Sequence, residues 1–238
     1  MNLTQYVASL HATQQAEALS RGELSPTAVA GGTVSLTGLS DSLLKNITLQ
    51  LASALQHIHQ RGLVHLDIKP DNVLISFGGI VRLADFGQAR LLKPLDGSAS
   101  TTVGTGAAVC SAAAAALALC PDFDMDGVEG DCQYMSPELL GGPDVARRNG
   151  GGLEPVPIGP SAACDIFSLG LTLVELASGA VLPKSGLLWH ELRDGRAGRH
   201  IHGRVSAVME HIILNLLEPH PKDRPTAKQI VQWINAHS

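Results

Sequence analysis

The chain has 238 residues, 45% hydrophobic and 16% charged, with a formal net charge of −5. That is enough apolar sequence to bury one sizeable core, or at most two, and too much for a disordered chain. The acidic balance offers no basic field for nucleic acid or for anionic lipid. Only 3% of residues are aromatic, so the core is aliphatic. Cys110, Cys120, Cys132 and Cys164 show no metal-ligand spacing. Neither a signal peptide nor an apolar run of membrane length is visible. The nearest candidate, Val109 to Cys120, is short and built on five consecutive alanines. The expected setting is intracellular, cytoplasm or nucleus, with reduced thiols.

Residues 2–20 are helix-compatible, with Leu3, Tyr6, Val7 and Leu10 at helical spacing. Gly22 to Gly38 holds Gly31-Gly32, Pro26 and several hydroxyl residues, and reads as a loop. An amphipathic helix is predicted from Asp41 to Gln60. Its buried stripe is Leu44, Ile47, Leu51, Leu55 and Ile58, with Ser40 or Asp41 as cap and Gly62 just past its end. Val73 to Ile75 and Ile80 to Leu83 flank Phe77-Gly78-Gly79 and predict a small β-hairpin. Gly97 to Pro121 holds no charged residue and, with the acidic start of Asp122 to Asp131, forms a low-complexity insert at 97–126. Gly141 to Pro160 is a Gly/Pro-rich loop. Helices are then predicted at Ala163 to Ser178, which is nearly all apolar, at Leu187 to Leu192, at Val205 to Leu217, and at Pro225 to Ala236 with proline in the first turn.

The chemistry sits between the long helix and the insert. His65-Leu66-Asp67-Ile68-Lys69-Pro70-Asp71-Asn72 has the form H-x-D-x-K-x-x-N, and Asp85-Phe86-Gly87 follows the predicted hairpin. Two such motifs in this order are the pattern of a protein-kinase catalytic loop and its magnesium-binding loop. Phosphoryl transfer needs positioning and charge neutralisation more than covalent chemistry. Asp67 would orient a substrate hydroxyl, Lys69 would place a positive charge near the γ-phosphate, and Asn72 and Asp85 offer the oxygen ligands that Mg²⁺ prefers. Further on, Met135-Ser136-Pro137-Glu138 matches the A-P-E signature with Ser for Ala. Arg224 sits where kinases place the arginine that pairs with that glutamate. Asp165 matches the buried-helix aspartate that binds the catalytic-loop backbone.

Residues 41–238 resemble a protein-kinase C-terminal lobe, most closely that of the Wee/Myt group of cell-cycle inhibitory kinases. Leu66 replaces the usual arginine, Glu129-Gly130-Asp131 replaces the usual Gly-Thr, and Phe167 to Thr172 is followed by Leu182-Pro183 and Trp189. The resemblance implies a protein kinase-like α+β fold, here mainly the α-helical C-lobe with a small hairpin at the site. It implies ATP and Mg²⁺ as cofactors, Leu74 as the floor under adenine, and a protein substrate, by analogy a cyclin-dependent kinase. It also implies that His65, Phe86 and Gly87 support the site, Phe86 packing on His65, and that Asp131 pairs with Lys69. Because leucine cannot gather a phosphate, activation through a phosphorylated loop is not expected. Tyr against Ser/Thr preference stays open.

A kinase also needs a Gly-rich loop, a strand lysine and a helix glutamate, all before the catalytic loop. Gly31-Gly32-Thr33 has the wrong pattern and place, and Lys45, the only lysine before Lys69, lies in a predicted helix. The expectation is a kinase domain, 1–238, that is partial and lacks its N-terminal lobe. The chain is then a fragment of a complete enzyme or, alternatively, a non-catalytic kinase-like binding module. Two other signals are set aside. Asp122 to Gly127 opens like an EF-hand, but Gln133 stands where the bidentate glutamate belongs. His57, His59, His200 and His202 read as ordinary polar histidines.

Overall fold

The structure is a computed structural model that describes residues 1–21, 38–92, 131–140 and 159–237. The predicted loop at 22–37, the insert at 97–126, the EF-hand-like stretch and most of the loop at 141–160 lie outside the described residues.

Seven α-helices are described: α1 (Leu3–Ser20), α2 (Asp41–His59), α3 (Ala162–Ser178), α4 (Leu187–Arg193), α5 (Gly198–Ile201), α6 (Ala207–Leu216) and α7 (Ala227–Ala236). The helix α3 is the axle. Nearly all its residues are buried, as expected of a helix that is apolar all round. It packs against α2, α5 and α6, while α2 turns its other side to α7 and the hairpin. Close approach of α3 and α6 depends on Gly170, where an added Cβ would lie 2.8 Å from the Leu217 side chain. The predicted stripe of α2 is buried at Leu44, Ile47, Leu51 and Leu55, with Ile58 at its edge.

Strands β1 (Leu63–Val64), β2 (Val73–Ile75), β3 (Val81–Leu83) and β4 (Arg90–Leu91) form two antiparallel pairs, β1 with β4 and β2 with β3. The β2–β3 pair is the predicted hairpin, with Val73 opposite Leu83 and Ile75 opposite Val81. Gln50 of α2 fastens it by accepting from the Val81 amide at 2.9 Å and donating to the Gly79 carbonyl at 3.0 Å. Along β2, Val73 and Ile75 point into the core and Leu74 points out. The pairing of β1 with β4 was not predicted, because two-residue strands carry no period to read. The short α5 was likewise not predicted.

Two capping expectations are corrected. Ser40 stands at the N-cap of α2 without a side-chain cap bond. Asp41 instead accepts from the Ser206 amide at 2.9 Å and pairs with Lys45 at 3.7 Å, joining α2 to the start of α6. The last helix begins at Ala227 rather than Pro225, because Thr226 caps it in a reciprocal capping box with Gln229.

Candidate active site

The predicted catalytic loop, His65 to Asn72, runs from β1 to β2 across the end of α3. Asp165, in the first turn of α3, is fully buried. Its carboxylate accepts from the His65 amide at 2.8 Å and the Leu66 amide at 2.7 Å, and meets His59 Nε2 at 2.8 Å. This matters because Leu66 has φ of +63°, in the left-handed region. A non-glycine residue there costs about 1–3 kcal/mol. Each hydrogen bond to a charged group returns about 1.5–3 kcal/mol, so the two amide bonds hold the bend. The Leu66 side chain packs with Val64 and Cys164, against Leu92, Leu139 and Ala162. Burial beside Glu138 pushes the Cys164 thiol up to about 12, so it packs as a neutral thiol.

Past the bend, Asp67 faces a set of donors. Lys69 Nζ lies 2.9 Å from Oδ2, and Asn72 Nδ2 donates to Oδ2 at 2.6 Å and to the Asp67 carbonyl at 2.9 Å. Among the described residues no hydrogen bond reaches Oδ1 of Asp67. The expected pairing of Lys69 with Asp131 is not made. Lys69 is drawn to the nearer Asp67, and Asp131 turns back to accept from the Gln133 amide at 3.1 Å.

The Asp85-Phe86-Gly87 loop is tied to the same loop by its backbone. The Ala84 amide donates to the Asn72 carbonyl at 2.9 Å, and His65 Nε2 bonds the Ala84 carbonyl at 3.0 Å. Asp85 follows with φ of +60°, its carboxylate accepting from the Gly87 amide at 3.2 Å. A Cβ on residue 87 would sit 3.1 Å from that carboxylate, so glycine leaves the turn room to close. Phe86 lies on His65 with ring centroids 4.7 Å apart, as the resemblance implied, yet remains 42% exposed.

Asn72 and Asp85 fit a magnesium ion by donor chemistry. Both Asn72 amide bonds use its nitrogen, so its side-chain oxygen is the end left for a cation. With the Asp85 carboxylate this makes a hard oxygen pair of the kind that binds Mg²⁺ together with phosphate oxygens. Leu74, 44% exposed, stands on β2, the strand that follows Asn72.

The segment 131–139 lies beside the 65–72 loop, Leu139 packing against the Leu66 cluster. Glu138 and Arg224 form a bidentate ion pair at 2.6 and 2.9 Å, both side chains buried. Arg224 also donates to the carbonyls of Ala163, Glu218 and Pro219. Tyr134 donates its hydroxyl to Glu175 at 2.6 Å, and Ser168 donates to the Tyr134 carbonyl at 2.8 Å. Burial raises the Glu175 carboxyl above its ordinary value, opposed in part by the Tyr134 bond. One helix, α3, therefore grips the catalytic loop through Asp165 and the facing segment through Ser168 and Glu175.

Several of these residues were missed in the sequence. His59 and Glu175 carry no motif, and their partners lie 106 and 41 positions away. Arg193 was missed as well; four carbonyl bonds to 132–135 converge on its buried guanidinium. His200 and His202 meet Glu191 and Glu210, and among the described residues no cluster suits a metal held by His, Cys, Asp and Glu alone.

Residues 15–234 match the model of the protein kinase domain. The chain belongs to the protein kinase domain family. Relatives include the membrane-associated tyrosine- and threonine-specific cdc2-inhibitory kinase of Drosophila melanogaster, 34% identical over 78% of this chain and 27% of that protein. The Schizosaccharomyces pombe mitosis inhibitor protein kinase wee1 is 28% identical over 82% of the chain and 20% of its own length. The Wee1-like protein kinase of Oryza sativa is 30% identical over 77% and 26%. The chain is thus a kinase domain similar to the Wee/Myt group, and it spans about a quarter of the length of these relatives. Among the described residues, no helix of this kinase domain is long and apolar enough to cross a membrane.

Proposed function

We propose that this kinase domain supplies the catalytic half of a Wee/Myt-like enzyme that transfers the γ-phosphate of ATP to a protein hydroxyl. The observation that carries the reading is the division of labour on Asp67. Its Oδ2 is held by Lys69 and Asn72, while Oδ1 is left to accept a hydroxyl proton. A carboxylate fixed on one oxygen and open on the other can orient an attacking hydroxyl without being protonated itself. Asn72 and Asp85 would hold Mg²⁺, whose charge offsets that of the phosphates. Lys69, tethered to Asp67, places its cation between the hydroxyl and the transferring group. Leu74 would lie under the adenine.

The Drosophila and fission-yeast relatives are named for inhibiting cdc2 and mitosis. They support a cyclin-dependent kinase as substrate. The Leu66 cluster supports phosphate-independent activity. It joins the catalytic loop to Leu92 and Leu139, on either side of the segment a phosphate would otherwise order. The test is Asp67→Asn in a full-length version. Transfer to a cyclin-dependent kinase should fall by at least about 100-fold, the usual worth of positioned acid–base groups. Undiminished transfer would overturn the reading, and a wild-type protein that folds and binds nucleotide yet transfers nothing would favour the binding-module alternative.

A further inference from the structure

Arg193 closes α4 with its guanidinium buried, the residue being 6% exposed. Among the described residues no carboxylate lies within ion-pairing distance of it. Its partners are carbonyls. Nε and Nη2 donate to Met135 at 3.2 and 2.9 Å, and Nη2 also to Cys132 at 3.0 Å and Gln133 at 3.1 Å. Nη1 donates to the Trp189 carbonyl at 3.1 Å. The guanidinium stacks 4.0 Å from the Trp189 ring centroid, and Trp189 Nε1 adds a second donor to the Cys132 carbonyl at 3.0 Å. Burial lowers its pKa to about 10, which leaves it charged at neutral pH.

A buried cation without a counter-ion is costly, and a fold that needed only packing there would be better served by an apolar side chain. What this cation does is turn the carbonyls of Cys132, Gln133 and Met135 inward on one point. The Cys132 side chain is thereby left exposed and Met135 half-exposed. The segment so shaped lies between Asp131 and the Glu138 anchor, and Ser168 ties it to the helix that also holds the catalytic loop.

We propose that Arg193, with Trp189 stacked on it, is a positioning residue for the protein substrate. It moulds residues 132–135 into the surface on which the acceptor peptide lies, and so sets where the hydroxyl meets Asp67. The proposal rests on the kinase reading above. Lysine keeps the charge but cannot donate along the planar fork to several carbonyls at once, so Arg193→Lys separates geometry from charge.

The experiment compares a full-length version with its Arg193→Lys variant in two measurements. The first is transfer from Mg-ATP to a cyclin-dependent kinase. The expected result is a rise of about tenfold in KM for the protein substrate, the worth of one lost charged hydrogen bond of about 1.4 kcal/mol, with KM for ATP unchanged. The second is amide hydrogen exchange, where 132–136 should exchange faster while 65–72 keep wild-type protection. Equal changes in both KM values, an unchanged protein KM, or uniform loss of protection would overturn the proposal. Absence of transfer by wild type would sink the kinase reading and the substrate half with it. Local exchange at 132–136 would still decide whether Arg193 shapes that segment.

Discussion

Two buried charges flank the candidate site, and they work in opposite senses. Asp165 is an anion that gathers backbone N–H groups on the catalytic loop, while Arg193 is a cation that gathers backbone carbonyls on the facing segment. Neither is simply one half of a salt bridge between carboxylate and guanidinium, as Glu138 and Arg224 are. A loop has no ladder of its own, so its peptide dipoles are free to converge on a single charge. The lesson is that the irregular backbone here is shaped by single buried charges carried on regular helices, and the Glu138–Arg224 pair only anchors the far end.

The largest effect on stability should come from breaking the anchor. Arg224→Leu strands the Glu138 carboxylate in the interior, and loss of one partner of such a pair costs about 3–5 kcal/mol. Denaturant unfolding should show a loss of that size in unfolding free energy, and the double variant Glu138→Leu with Arg224→Leu should recover part of it. If the double variant were as unstable as the single, the stranded-charge account would fail.

Asp165→Asn should cost less, about 2–3 kcal/mol, because one amide of the bend keeps an acceptor and the other loses it. Faster amide exchange at His65 and Leu66 would show the loss directly. A variant that kept full protection there would show that Leu66 holds its left-handed turn without the carboxylate.

The smallest effect is one of pH. Burial raises the Glu175 carboxyl above 4.5. A group whose folded pKa is raised stabilises below its unfolded value and loses that contribution as pH rises through the folded one. Wild-type stability should therefore decline as pH climbs from about 4.5. Glu175→Gln still accepts from Tyr134 and should be flat over the same interval. Parallel pH profiles would remove Glu175 as the cause.

The expected gap in the nucleotide site gives a further check. Among the described residues, Lys45 lies within α2, paired with Asp41, and the exposed Leu74 would serve as the floor under adenine. The 238-residue polypeptide should bind Mg-ATP more weakly than about 1 mM, against the micromolar KM common among enzymes. Micromolar affinity by calorimetry would contradict that expectation.

Much of this was legible from residue order. The α2 stripe, the hairpin at 73–83 and the apolar α3 are periodic or nearly so, and period is a local property that survives without tertiary knowledge. The meeting of Lys69 and Asn72 with the Asp67 carboxylate was legible because the three lie within a few residues of one another. The ion pair of Lys69 with Asp131 was misjudged for the opposite reason: which of two carboxylates an ammonium meets depends on distances across space.

What the sequence determined alone is therefore the set of local devices: helices, hairpin, catalytic loop, and the kind of chemistry their side chains allow. Tertiary structure decided which groups face one another: His59 on Asp165, Tyr134 on Glu175, and the Arg193 guanidinium against three carbonyls some 60 positions earlier. The physical reason is that a buried charge is tolerable only where enough dipoles converge on it. Convergence of distant segments is a property of packing, with no spacing in the chain to announce it.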